Sequence, residues 1–207
     1  MARLNHRSSG LAALAVIVAG LLAWTPMLPA GNSPTPSGNA RAVQATSLAS
    51  DGTATTTVVA DTGTLTSAND ARDASQLTAS VPSLVTADTP SSATISWDNE
   101  VDSYSSVTNL SVTVGGAVIT ANSVLSMASA VSGPHSPNTN ITMIDGLAVN
   151  GTPITVTGSK NQTVAIPGGQ MTINETKSSG NSISVNALHI VINGSADVVI
   201  ASSAAGV

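Results

Sequence analysis

Trp97-Asp98-Asn99-Glu100-Val101-Asp102 holds three carboxylates within five residues, the densest charge cluster of the chain. On an extended strand, Asp98, Glu100 and Asp102 would project from one face, about 6.5–7 Å apart. In a loop they could converge on one ion. Calcium takes six to eight oxygen ligands, often from carboxylates, so calcium is the one cofactor this cluster brings to mind. The stretch lacks the glycine turn of an EF-hand loop and shows no full ligand set. Its first reading is therefore a solvated acidic edge that resists strand addition, with calcium at Asp98, Glu100 and Asp102 second. Paired carboxylates also hydrolyse glycosides, but acids on a loop do not by themselves define that geometry.

His189 is the second residue with chemistry to offer. It sits inside the most apolar run of the chain, and the Asn193-Gly194 turn folds Asp197 back toward it. A His–Asp pair can orient a base for a neighbouring serine. Serine is everywhere in this sequence, however, and no nucleophile-elbow motif is present. The expectation is a structural imidazole among Leu188, Ile190, Val191 and Val198, bonded to a carbonyl or to Asp197. His135 lies in Gly133-Pro134-His135-Ser136-Pro137, an expected exposed loop, and a lone loop histidine makes a poor metal site.

The composition excludes much else. Across 207 residues there is no Cys and no Phe, and the formal net charge is -5. Without cysteine there is no disulfide framework, thiolate metal site or cysteine nucleophile. The acidic balance offers no basic patch for nucleic acid. One Trp and one Tyr beyond the leader cannot build a stacking platform for single strands. Ser (30) and Thr (25) make up about a quarter of the chain.

The elements that must position these residues read as strands. From about Ser47 the chain is Val, Ile, Thr and Ser in short runs, the residues that fit pleated, half-buried surfaces. Turn signals separate the runs at Gly115-Gly116, Asn150-Gly151, Gly168-Gly169, Gly180-Asn181 and Asn193-Gly194. The spacing predicts strands at 53–60, 76–81, 94–97, 106–114, 117–131, 140–149, 154–156, 163–166, 170–175, 182–192 and 197–202. The last hairpin is nearly continuous in Val, Ile and Leu, as a strand covered on both faces must be, so it is expected to be central. The fold class is all-β: an antiparallel β-sandwich, or a Greek-key or meander arrangement, preceded by an N-terminal signal-peptide helix.

Arg3 and Arg7, the uncharged run Leu11–Trp24 and the small residue Ala30 form the pattern of a secretory signal peptide. The run has 14 residues before Thr25-Pro26, short of the about 20 a spanning helix needs. The expected organisation is a signal peptide over 1–30, a Pro-, Gly- and Ser-containing linker over 31–45 and one β domain over 46–207. Cleavage would leave four basic residues against eleven acidic ones. The expected location is secreted or extracellular, with no stable membrane insertion after cleavage.

Val185-Asn186-Ala187-Leu188-His189-Ile190-Val191, followed by Ala196-Asp197-Val198-Val199-Ile200-Ala201-Ser202-Ser203, resembles the closing signature of the choice-of-anchor P family. Ser80–Ala87, Gly146–Pro153 and Asn161–Pro167 with Asn174-Glu175 resemble it in the same order. The resemblance spans about residues 46–207. It implies a secreted bacterial β domain with no assigned catalytic activity, so it brings no catalytic residues. Members with a surface-sorting tail continue past this signature, whereas this sequence stops at Val207.

The leading expectation is a non-enzymatic β domain with a structural or interaction role at or outside the cell surface. The alternative is an extracellular module binding carbohydrate or a small ligand, with or without calcium. Trp97 and Tyr104, beside the acidic cluster, would then mark the site. A hydrolase built on His189 ranks third. The expected partner is extracellular or in the cell envelope, and is not nucleic acid.

Overall fold

The Val-, Ile- and Thr-rich runs form strands because each can bury one row of branched side chains while its backbone groups pair sideways. The structure, a computed structural model, describes residues 35–49, 51–133 and 138–207. Among these are β1 (Ser37–Leu48), β2 (Ala54–Asp61), β3 (Asn69–Ser75), β4 (Thr78–Val81), β5 (Val85–Trp97), β6 (Glu100–Val114) and β7 (Ala117–Val131). There follow β8 (Thr139–Asp145), β9 (Ala148–Val149), β10 (Thr152–Pro153), β11 (Gln162–Ile166), β12 (Gly169–Ser179), β13 (Ser182–Ile192) and β14 (Ala196–Gly206). No helix occurs among the described residues. The expected signal peptide over 1–30 and His135 lie outside them.

Every strand pair is antiparallel. A six-stranded sheet runs β11-β12-β13-β14-β1-β2, and an eight-stranded sheet runs β10-β9-β7-β6-β5-β3. In the second sheet β4 continues the edge beside β5, and β8 continues the edge beside β7. The two sheets pack face to face as an all-β sandwich. Asn150-Gly151 closes one hairpin as expected: both residues take positive φ, 50° and 77°, and Asn150 Oδ1 accepts from the Val118 amide at 2.8 Å.

Several boundaries differ from the sequence reading. Residues 31–45 are not simply a linker, because β1 begins at Ser37 and runs between β14 and β2. Its inward positions, Gly38, Ala40, Ala42, Val43 and Ala45, are small, which lets the sheets approach closely. A Cβ on Gly38 would lie 2.7 Å from Val101 and 2.9 Å from Leu65. β1 thus places Ser37–Ala45 within the six-stranded sheet, ahead of the expected domain start at 46. Residues 154–156 are not a strand; the chain leaves the sheet after Pro153. Asn69–Ser75 forms an edge strand despite its polar sequence. The expected Gly168-Gly169 turn falls instead at Pro167-Gly168, with Gly169 already in β12.

The strands share a further feature. Ala60, Ala42, Ala201, Ala187 and Asn174 face one another across the six-stranded sheet as gaps in the bonded register. Ala60, Ala201 and Asn174 have positive φ. At this row two adjacent residues both face inward, as in Ala42-Val43, Ala187-Leu188 and Ile200-Ala201, all fully or almost fully buried. Each strand thus exchanges its inward parity there. The eight-stranded sheet shows the converse at Asn109 and Asn122, where the buried positions are Val107 then Leu110, and Ala121 then Val124.

On one side of this row the core is aliphatic, built on Val43, Val85, Ile119, Met171, Ile173, Leu188 and Ile200. On the other it is a smaller cluster around Val101, Ala128, Ala130, Ile183 and Val185, flanked by buried hydroxyls. Ser126 Oγ and Ser203 Oγ meet across the sheets at 2.7 Å. Ser103 Oγ donates to the Ala204 carbonyl at 2.6 Å, and Thr94 Oγ1 and Ser103 Oγ lie 2.7 Å apart. Ser92 and Ser105 pair at 3.0 Å. Each buried hydroxyl must find such a partner, since an unmade bond costs about 1–3 kcal/mol.

Candidate functional site

The acidic cluster sits at the β5–β6 hairpin. Trp97 pairs with Glu100, and Asp98-Asn99 form the two-residue turn, with Asp98 at φ 43°. Glu100, Asp102 and Tyr104 follow on β6, alternating with fully buried or nearly buried Val101, Ser103 and Ser105. All three therefore face away from the core. Asp98 leaves the strand at the turn, so the three expected ligands do not form one row. Among the described residues no group of three His, Asp or Glu side chains is arranged to hold a metal ion.

Register places apolar residues beside these acids. On the outer face, Ile95 stands opposite Asp102. Tyr104 stands opposite Met127, and Met127 opposite Ile141. In the next outward row Ser106 faces Leu125, and Leu125 faces Met143. Ile141 and Met143 are 52% and 62% exposed, and Ile95, Trp97 and Met127 are exposed as well. An apolar stripe thus runs obliquely across β5, β6, β7 and β8 from Trp97 to Met143. The Tyr104 hydroxyl donates to Ser106 Oγ at 2.9 Å, fixing the ring along its strand. The sequence reading found Trp97, Tyr104 and the acids but not the aliphatic and methionine residues, which come from separate strands.

The opposite outer face carries the second cluster. His189 on β13 lies between β12 and β14. Its Nδ1 is 2.9 Å from Glu175 Oε2 and its Nε2 is 3.2 Å from Asp197 Oδ1. A ring bearing both protons donates to both carboxylates and ties three strands together. Asn186 Nδ2 donates to Glu175 Oε2 at 2.7 Å, and Lys177 Nζ lies 3.2 Å from Glu175 Oε1. Burial pushes the Glu175 carboxyl up, but the Asn186 bond, the His189 charge and Lys177 outweigh it and hold it below its ordinary value.

The expected His189–Asp197 pairing is present; the expected burial is not. Leu188, Ile190 and Val198 are fully buried on the inward face, whereas the His189 side chain points outward at 20% exposure. Strand alternation explains this, since residue 189 must oppose 188 and 190. Glu175 was not anticipated, because its position depends on the β12–β13 register. Both ring nitrogens are occupied by carboxylates, so neither is directed at a serine hydroxyl. Because the two carboxylates meet opposite edges of the ring, they do not converge on one ion.

Comparison with known protein families, with curated proteins and with solved structures finds no match to this chain.

Proposed function

We propose that this chain is a secreted, non-enzymatic β domain that works by contact at or outside the bacterial cell surface. The signal-peptide pattern at Arg3–Ala30 and the resemblance of residues 46–207 to the choice-of-anchor P family support the location. The observation that carries the interaction role is the exposed stripe from Trp97 to Met143. Scattered surface apolar residues are ordinary, but a contiguous patch rimmed by polar groups marks a contact site. Both nitrogens of His189 being engaged by carboxylates supports a structural use of that residue.

The experiment is retention on washed producer cells. The purified protein is expected to sediment with the cells. A variant with Ile141→Ser and Met143→Ser, both at exposed positions, should stay largely in the supernatant while melting like the parent. Equal retention of the two proteins would refute the reading. A carbohydrate-binding role is the second reading, favoured by Trp97 and Tyr104 sharing a face with Asp102. In that case soluble envelope polysaccharide should release the bound protein.

A further inference from the structure

We propose that the stripe on the eight-stranded sheet docks a cationic amphipathic helix of a protein partner; this rests on the interaction role just given and names the chemistry of what is bound. The strands of this face bring Asp73, Glu100 and Asp102 to the outward side around Trp97 and Ile95, and Asp145 to the far end beside Met143. The four described Lys and Arg residues lie elsewhere. Arg41 and Lys177 belong to the six-stranded sheet, and Lys160 lies between β10 and β11. Arg72 is on β3 but alternates with Asp73, and its Nε bonds Asp70 at 3.1 Å. The face is apolar in the middle and acidic at its margins, with no cation of its own among the described residues.

Complementary potentials steer encounter and exclude wrong partners. Acid-rimmed apolar surface therefore fits an apolar strip flanked by Lys or Arg. It does not fit a second copy of itself, because acid would meet acid. Aliphatic and methionine side chains also distinguish the occupant from a sugar. Tyr104 and Trp97 alone could stack on a pyranose, but Leu125, Met127, Ile141 and Met143 extend the contact with flexible hydrocarbon and thioether groups. Such Met-rich surfaces adapt to apolar protein side chains.

The dimensions point the same way. From β5 to β8 is three strand spacings, about 14 Å, and from the Trp97 row to the Met143 row is six residues, about 20 Å. The diagonal is about 25 Å, the length of a helix of about 16–17 residues. One face of such a helix would cover the whole stripe while its flanking cations reach Asp73, Glu100, Asp102 and Asp145.

The probe is an 18-residue Leu/Lys amphipathic helix, with a Leu/Glu helix of the same pattern as control, each labelled and titrated with the full mature protein by fluorescence anisotropy. The Leu/Lys helix should bind, and the Leu/Glu helix should bind at least about tenfold more weakly. Neutralising the rim with Asp73→Asn, Glu100→Gln and Asp102→Asn should weaken Leu/Lys binding at least about tenfold and flatten its salt dependence, with the melting temperature unchanged as the folding control. Equal binding of the two helices would overturn the proposal, as would unchanged affinity of the neutralised variant. Displacement of the helix by neutral polysaccharide, with rim charge irrelevant, would assign the face to sugar and also overturn it. Should the helix assays fail while the Ile141→Ser, Met143→Ser variant still loses cell retention, only the partner chemistry falls. Unaffected retention would instead remove the interaction role itself.

Discussion

Replacing Ser203 with Ala tests whether the buried hydroxyls hold the sandwich together. Ser126 and Ser203 are both fully buried. Their oxygens are 2.7 Å apart, and Ser203 Oγ also lies 3.1 Å from the Ser126 carbonyl oxygen. The consistent arrangement has Ser203 donating to that carbonyl and Ser126 donating to Ser203. The two truncations are then unequal. Ser203→Ala strands the Ser126 hydroxyl without an acceptor, which costs about 1–3 kcal/mol. Ser126→Ala leaves Ser203 its carbonyl acceptor and should cost about 0.5–1.5 kcal/mol, one ordinary bond. The double variant removes both hydroxyls and leaves nothing unpaired, so it should cost less than the sum by about 0.5–3 kcal/mol. Urea unfolding followed by far-UV circular dichroism reads all four proteins, with an unchanged slope confirming a comparable transition. Additive costs, or a Ser203→Ala protein as stable as Ser126→Ala, would refute the assignment.

Gly38→Ala should lower stability by about 1–3 kcal/mol by overpacking, because its Cβ would meet Val101, Thr94 and Leu65 within 2.9 Å; a melting curve no lower than the parent's would contradict this. Glu175 has its carboxyl pKa held below the ordinary value of 4.5 in the folded protein. It therefore contributes stability that is fully present above the unfolded carboxylate value and is lost as pH falls through the lower folded value. Glu175→Gln should accordingly flatten the acid side of a stability–pH profile measured by urea midpoint. His189→Ala should cost about 1–3 kcal/mol through loss of its contacts to Glu175 and Asp197, with His189→Gln costing less. Unchanged stability of His189→Ala would remove its structural role.

The parts legible in the sequence were those whose burial used large side chains. Leu188, Ile190, Val191 and Ile192 of β13 and Val198–Ile200 of β14 form the apolar run, and both strands are central in the six-stranded sheet as expected. Their outward positions, among them Asn186, His189 and Asp197, are only half-buried, so the run is not covered on both faces as expected. β7 was bounded by Gly115-Gly116 and by the Gly133-Pro134 break. β1 escaped because, apart from Val43, its buried positions are Gly38 and alanines, which in a sequence look like a linker. β3 escaped because both its faces are polar, as an edge permits. Asp197 was placed beside His189 because a short turn connects them, whereas Glu175 required the pairing of β12 with β13. The outer stripe was hidden for the same reason. Ile95, Met127, Ile141 and Met143 belong to three strands, and only their register makes them neighbours.

The row through Ala60, Ala42, Ala201, Ala187 and Asn174 makes insertions unequal along a strand. Between turns, adding or deleting one residue normally sends a strand's inward set to solvent. Here the chain already makes that exchange once, and it does so on all five strands together. A single-residue deletion in β14 at Ala201 would restore plain alternation from Ile200 to Ser203, but it would remove the residue opposite Ala42 of β1 and Ala187 of β13 and so break the register of Ser202–Gly206 with both neighbours. The same change would leave the Val198–Ile200 side untouched. The two ends of the sandwich are therefore free to diverge in sequence length only at their turns, and the row between them accepts change only in concert.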